Sequence, residues 1–324
     1  MKVWEYILDQ LKKDTLVTLL YVLDSKGSSP GRKGFIMAVN EQGLFEGTIG
    51  GGIMEVKMIE LAKSRMDKRV NKPIIKAQYH DKSHRRNQSG LICSGNQQVA
   101  LIPLTQKDIA VISAIINRTE TIHLQLSSED GLKICTAKEI ENQQIRSEMD
   151  FDCVLAINRP KTIHIFGAGH VGLALAQQMS FLDYKVIQYD DRHDLPTLQK
   201  NKYAHEIKLI DYQNLSESID ADDADAVVIV SFSYRTDKLI LKQLYTRPFA
   251  YLGMMGSDHK IATLEKELVQ EGIPTSALNH VFAPIGLNMY SKTAAEIAVS
   301  IAGQIILETN KLLPTGRSYD EKKV

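Results

Sequence analysis

Hydrophobic and polar positions are arranged in two different ways along this chain, and the change falls near its middle. In the first half the pattern is mixed. LVTLLYVLDS (16–25) and FIMAVN (35–40) are apolar, β-branched-rich runs that predict strands on either side of the loop KGSSPGRKG (26–34). Met54, Met58 and Leu61, with Glu55, Lys57 and Glu60 between them, have helical period and predict a helix near 53–67. PIIKAQYH (73–80) and QQVALIPL (97–104) read as strands, and QKDIAVISAIIN (106–117) as a helix. TIHLQLSSEDGLKICTA predicts a hairpin turning at Glu129-Asp130-Gly131, and FDCVLAIN (151–158) a last strand. The N-terminal MKVWEYILDQLKK carries charge throughout, so it reads as an amphipathic first helix and not as a signal peptide. Arg159-Pro160 then breaks the pattern, which sets the expected domains at 1–158 and 159–324.

The second half alternates helices with uninterrupted apolar strands: TIHIFG, YKVIQYD, HEIKLI, AVVIVSF and FAYLGM. Strands without polar alternation are buried on both faces, which predicts a parallel sheet wrapped by crossover helices. The expected fold is therefore α/β, a mixed N-terminal domain followed by a doubly wound parallel sheet. TIHIFGAGHVGLALAQQMSFLDYKVIQYDDR adds a strand, Gly167-x-Gly169-x-x-Gly172, a helix, and a second strand ending in Asp190-Asp191. That is the Rossmann dinucleotide fingerprint in its full context, for NAD or another nucleotide; the alternative is a Rossmann-like fold whose site is empty. Gly167 permits the tight turn, Gly169 lets a pyrophosphate approach the backbone, and Gly172 lets helix pack on strand. Phosphates meet the free N–H groups of the helix start. Asp190 can accept from a ribose hydroxyl, which favours NAD over NADP. His170, inside the fingerprint, either donates to a phosphate or substrate atom or is simply the first exposed position of the helix. His164 in the preceding strand reads as a packed strand histidine.

Composition narrows the classes. With 324 residues, 44% hydrophobic, the chain is long enough for two cored domains. Its 39 basic and 39 acidic residues cancel, which argues against a nucleic-acid binder; the basic HDKSHRR (80–86) reads as a solvated loop. No apolar run reaches the ~18 residues of a membrane span. Three cysteines, Cys93, Cys135 and Cys153, are a sparse, odd set that suits a reduced, cytoplasmic protein.

Three loops of the first domain look ready for a ligand. Gly50-Gly51-Gly52 precedes a helix, as the Rossmann turn does, so its amides could form an anion-binding concavity, with Glu55 anchoring the loop by accepting from free amides. The alternative is that the glycines only make a tight bend. KGSSPGRKG supplies Ser28, Ser29 and the cations Arg32 and Lys33. SGLICSGNQQV (89–99) places Cys93 in a glycine- and serine-rich turn, as a ligand or reactive thiol or as a small buried hydrophobe. Together these loops predict a shared cleft for a bulky anionic ligand, facing the Rossmann turn.

GSSPGRKGFIMAV, GTIGGGIMEVKMIELA, GLICSGNQQVALIP, IHIFGAGHVGLALA, YLGMMGSDHK and APIGLNMYSKTAAEIAVSIAGQII follow one another in an order that resembles the XdhC/CoxI family of xanthine dehydrogenase accessory factors. The resemblance covers nearly the whole chain. It implies a chaperone that binds molybdenum cofactor (molybdopterin), supports its sulfuration and delivers it to a xanthine dehydrogenase-type apoenzyme, with a cysteine desulfurase as a further partner. Molybdopterin's phosphate would suit the amides and Arg32, and its molybdenum end would meet the soft Cys93 thiolate. The chain departs from the family pattern at Ile53, where a cysteine is usual, at Cys93-Ser94-Gly95, at Tyr290 and Ala294, and at Gly303-Gln304. A different class of reading is an NAD-dependent oxidoreductase, with the first domain as substrate domain and Cys93 or His170 at the chemistry. Finally, Ala295, Ala298, Ile301, Ala302 and Ile305 share a stripe of the C-terminal helix, which serves either core packing or a homodimer.

Overall fold

In the computed structural model the chain forms two compact units, Met1–Arg159 and Pro160–Val324. The structure describes residues 1–27, 29–79, 95–135, 143–215 and 219–311. The two units are built on different strand arithmetic.

The N-terminal unit contains helix α1 (Lys2–Lys12) and strands β1 (Val17–Gly27), β2 (Ile36–Asn40) and β3 (Phe45–Gly47). Helix α2 (Gly52–Asp67), strands β4 (Ile74–Tyr79) and β5 (Gly95–Leu104), and helix α3 (Ile109–Ile116) follow. Strands β6 (Ile122–Ser127), β7 (Gly131–Cys135), β8 (Gln143–Ser147) and β9 (Asp150–Ile157) complete it. Two antiparallel sheets result, ordered β3-β2-β1-β5-β4 and β7-β6-β9-β8. The central β1 explains its own sequence. Leu19, Tyr21 and Leu23 join a core with α1, α3 and the second sheet, while Leu20 and Val22 join another under α2. Side chains alternate at period two, and because both faces are covered no polar alternation is left to see. β5 repeats this, with Ala100, Ile102 and Leu104 on one face and Val99 and Leu101 on the other. Short β3 and the polar β8 carry too little apolar signal to stand out, and the sequence reading missed both.

The C-terminal unit begins with β10 (Thr162–Phe166), α4 (His170–Phe181), β11 (Lys185–Asp190), the short α5 (Pro196–Gln199), β12 (Glu206–Leu209) and β13 (Ala226–Ile229). It continues through α6 (Tyr234–Leu244), β14 (Tyr251–Met254), α7 (Asp258–Gln270), β15 (Val281–Phe282) and α8 (Ala294–Lys311). Its six strands are all parallel, in the order β12-β11-β10-β13-β14-β15. Counted from β10 this is 3-2-1-4-5-6, the doubly wound order of dinucleotide-binding sheets. Ile163, Ile165 and Val228 pack on one side with α4 and α8; Val227 and Ile229 pack on the other with α6 and α7. One expectation fails in part. HEIKLI is not buried on both faces, because β12 is an edge strand and leaves Leu209 55% exposed.

The stripe on α8 is core. Ala298, Ile301, Ala302 and Ile305 are buried in the unit's own interior, where α8 lies on α4, while Ala295 is exposed. Small side chains here allow the two helices to approach, so the stripe is not available to a second copy. Ile301→Ala should lower stability by about 2–5 kcal/mol, the usual cost of deleting a buried aliphatic side chain, measured by urea unfolding of the full chain.

Candidate functional site

The end of the five-stranded sheet where β1 stops gathers the glycine loops of the N-terminal unit. Gly27 pairs with Gly95 as the last rung between β1 and β5. A Cβ on Gly31 would lie 2.2 Å from the Ile49 carbonyl oxygen, and one on Gly50 would lie 2.5 Å from the Gly31 amide nitrogen. So the loop after β1 and the triple glycine are in backbone contact, and Gly31 and Gly50 are glycines because a side chain would part them. Gly51 and Gly52 differ. Both have left-handed φ, +77° and +71°, yet a Cβ on either would meet nothing within 4 Å. Their backbone faces stay clear.

A buried amide cluster holds this arrangement. Ser29 Oγ donates to Gln97 Oε1 at 2.9 Å, and Gln97 Nε2 donates to the Ile49 carbonyl at 3.1 Å and to Gln78 Oε1 at 2.5 Å. Gln78 in turn reaches the Met54 carbonyl at the start of α2. Sequence reasoning missed Gln78 and Gln97. Their signal was present, as amides at the ends of two apolar strands, where they pair across the ladder. Ser29, predicted to face a ligand, is buried and committed to Gln97.

Glu55 anchors the glycine loop: its Oε2 accepts from the amides of Ile49 and Gly51, both at 3.0 Å, and from Thr48 Oγ1 at 2.6 Å. The Gly50 amide donates to Thr48 Oγ1 at 3.1 Å. Here the expected anion concavity needs correction. The loop amides of Gly50 and Gly51 are already satisfied by a hydroxyl and a carboxylate, so positive charge at this end comes from the exposed Arg32 and Lys33 instead. Among the described residues the Arg32 side chain reaches only the Gly27 carbonyl, at a long 3.4 Å. Ser28 and Cys93 lie outside the described residues. Cys153 lies inside the core, where burial pushes its thiol up to about 11 and keeps it unreactive. Cys135 ends β7, half-buried.

In the C-terminal unit, β10 runs into the turn Gly167-Ala168-Gly169 and then α4, with exposed His170 as the first helical residue. Gly167, at φ +119°, backs onto the end of β13: its Cβ would lie 2.3 Å from the Val230 carbonyl oxygen. A Cβ on Gly172 would lie 2.0 Å from the Gly167 carbonyl oxygen, whereas one on Gly169 would meet nothing within 4 Å. The three glycines thus divide as the fingerprint requires, two for backbone approach and one for clearance.

Asp190 is placed at the end of β11 but is fully engaged. Its carboxylate is 1% exposed and accepts from the Ala168 amide at 2.7 Å, the Arg192 amide at 3.0 Å, Arg192 Nε at 2.8 Å and Nη2 at 3.0 Å. Burial works to raise its pKa, but these donors outweigh it and hold the carboxyl below its usual range. With four donors seated, no lone pair is left for a ribose. His164 is the packed histidine its strand predicts, with Nδ1 2.9 Å from the Tyr189 hydroxyl and Nε2 3.3 Å from Asp225. A further cluster lies beyond β13 and β14. Buried Asp237 accepts from Ser231 Oγ and from Lys260 Nζ, both at 2.5 Å, and its carboxyl is raised chiefly by desolvation.

Among the described residues no cluster of His, Cys, Asp and Glu could hold a metal ion, and no helix is long and apolar enough to cross a membrane.

The strand order, the glycine turn and the carboxylate behind it define the C-terminal unit as a Rossmann-type domain. Comparison with known proteins agrees: residues 163–305 match the XdhC Rossmann domain, and residues 11–75 match the XdhC and CoxI family. The two matches together cover more than half of the chain, which belongs to the XdhC/CoxI family. A relative in Escherichia coli K12, the uncharacterized protein YqeB, is 24% identical over 89% of this chain and 43% of its own length. A Bacillus subtilis 168 protein described as a probable xanthine dehydrogenase subunit is 28% identical over 46% of this chain and 42% of its own. The chain therefore spans less than half the length of these curated relatives. A crystal structure described as a xanthine dehydrogenase from Bacillus halodurans superimposes with a TM-score of 0.74 at 20% identity, covering 98% of both chains, and so shares the fold.

Two measurements check this geometry. Gly172→Ala should destabilise by roughly 1–3 kcal/mol, because helix and turn must separate, while Gly169→Ala costs less than about 1 kcal/mol at this cap position; chemical denaturation compares them. For Asp190→Asn the stability deficit should be largest near neutral pH and close as pH falls below about 4. A carboxyl whose folded pKa is depressed stabilises above its unfolded pKa and loses that contribution on protonation. Unfolding curves of both proteins across pH 3–7 would show it.

Proposed function

We propose that this chain is an accessory factor for a xanthine dehydrogenase-type molybdenum hydroxylase, and that its N-terminal unit carries the molybdenum cofactor for maturation and delivery to the apoenzyme. Membership of the XdhC/CoxI family and the xanthine dehydrogenase names borne by its relatives support the accessory role. The observation that carries the cargo reading is the clear backbone face of Gly51 and Gly52 beside Arg32 and Lys33. A flat pterin needs a surface without side chains, and its phosphate needs cations, since the Gly50 and Gly51 amides are taken. The first amides of α2, at the positive end of the helix, add to the attraction. The C-terminal unit, on the same reading, binds a nucleotide, its phosphates lying over Gly169 and the start of α4.

The test is native mass spectrometry of the full chain after anaerobic incubation with molybdopterin cofactor. One cofactor should stay bound per chain, without steady turnover of NADH on small carbonyls. Gly52→Ala strains a left-handed position by about 1 kcal/mol, so the variant should fold yet retain little cofactor, and Arg32→Ala should weaken retention most at low salt, where the attraction of the exposed guanidinium for a phosphate is least screened. No retention by the wild type, or unchanged retention by Gly52→Ala, would overturn the cargo site. Sustained NADH oxidation would instead make the protein an oxidoreductase.

A further inference from the structure

The nucleoside end of the C-terminal site is built differently from what its motif suggests. Beyond the carboxyl ends of β11 and β13, the two strands that flank β10, Arg192 and Phe232 meet. The Arg192 guanidinium carbon stands 4.3 Å from the centroid of the Phe232 ring. Phe232 is 61% exposed, a large apolar ring held at the mouth of the crevice where an open α/β sheet binds its ligand. Arg192 is fixed in that pose by the two contacts from its side chain to Asp190. Asp191, next to it, has its side chain 38% exposed and Oδ1 3.7 Å from Arg192 Nε.

Each of these three side chains has an unspent capacity. The exposed part of the Phe232 ring offers a stacking surface, and the guanidinium, itself flat and delocalised, widens it. Asp190 has no acceptor to spare, but Asp191 reaches no closer to Arg192 than 3.7 Å and keeps solvent access. The local charge also favours one ligand over another. Asp190 neutralises Arg192, so Asp191 leaves the rim with a net negative charge that repels a further phosphate.

We propose that Asp191, Arg192 and Phe232 form the nucleoside half of this site. A purine stacks on the Phe232–Arg192 pair, the Asp191 carboxylate accepts from the ribose hydroxyls, and the site takes an adenosine dinucleotide lacking a 2′-phosphate. Asp190 is a positioning residue that holds the turn through the Ala168 amide and aims Arg192 at the ring. This rests on the reading of the C-terminal unit as a nucleotide site.

Isothermal titration of the full chain with NAD, NADP and ADP-ribose tests both. NAD and ADP-ribose should bind, with NADP at least about tenfold weaker. Phe232→Ala should weaken NAD about tenfold or more, the scale of one lost base-stacking contact. Phe232→Leu, which keeps apolar bulk without a ring, should rescue little of it. Asp191→Asn should bring NAD and NADP toward equal affinity. Both positions are exposed, so circular dichroism should show wild-type folding. If the wild type binds none of the three, the nucleotide reading itself fails. If it binds NAD but Phe232→Ala binds as well, or NADP binds as tightly as NAD, the nucleotide site stands and the assignment of its nucleoside half is overturned.

Discussion

The Gln97 side chain, buried at the end of a long apolar strand, satisfies a hydroxyl, a backbone carbonyl and a second amide at once. The glycine-rich end of the N-terminal unit depends on it. Loops made of Gly31, Gly50, Gly51 and Gly52 have no side chains with which to fix themselves, and glycine loses the most conformational freedom on ordering. Fixing them takes polar groups from other positions, the loops' own Ser29 and Thr48 together with Gln97 and Glu55, and where these are buried, as at Gln97, each unmade bond is costly. Glu55 does the same from α2, gathering two amides and a hydroxyl on one carboxylate oxygen. In the C-terminal unit the corresponding group is Asp190, which ties the Ala168 amide of the glycine turn to the end of β11.

This dependence changes what the loops can offer a ligand. An amide that already donates to Glu55 or Thr48 is not a free anion receptor, and a carboxylate with four donors is not a free acceptor. The residues a motif marks as ligand groups are, in both units, partly used to hold the backbone still. What remains for a ligand is clearance, at Gly51, Gly52 and Gly169, and the charged or aromatic side chains beside it. Rigid clearance has its own worth, since a preorganised surface spares the ordering cost at binding.

Much of the architecture was legible. Strands with both faces covered read as continuous apolar runs, so β1, β5, β10 and β13 stood out, as did the Gly167-x-Gly169-x-x-Gly172 spacing. The elements that escaped, β3, β8 and the two-residue β15, are short or polar, and they exist because a neighbouring strand offers its edge. The edge position of β12 was hidden for the same reason. Nothing in EIKL announces how many neighbours it will have.

The sequence by itself determined the change of strand pattern near the middle, the parallel sheet that follows it, and which glycines belong to tight turns. These follow from side-chain periodicity and from local backbone sterics, both encoded within a few residues. Only the tertiary structure decided what each glycine clears or contacts, that Ser29 turns inward to Gln97, and that Asp190 is consumed by Ala168 and Arg192. Those outcomes depend on hydrogen-bond partners up to 68 positions away along the chain. A donor's availability is set by which distant acceptor the fold brings to it first, and local sequence carries no record of that.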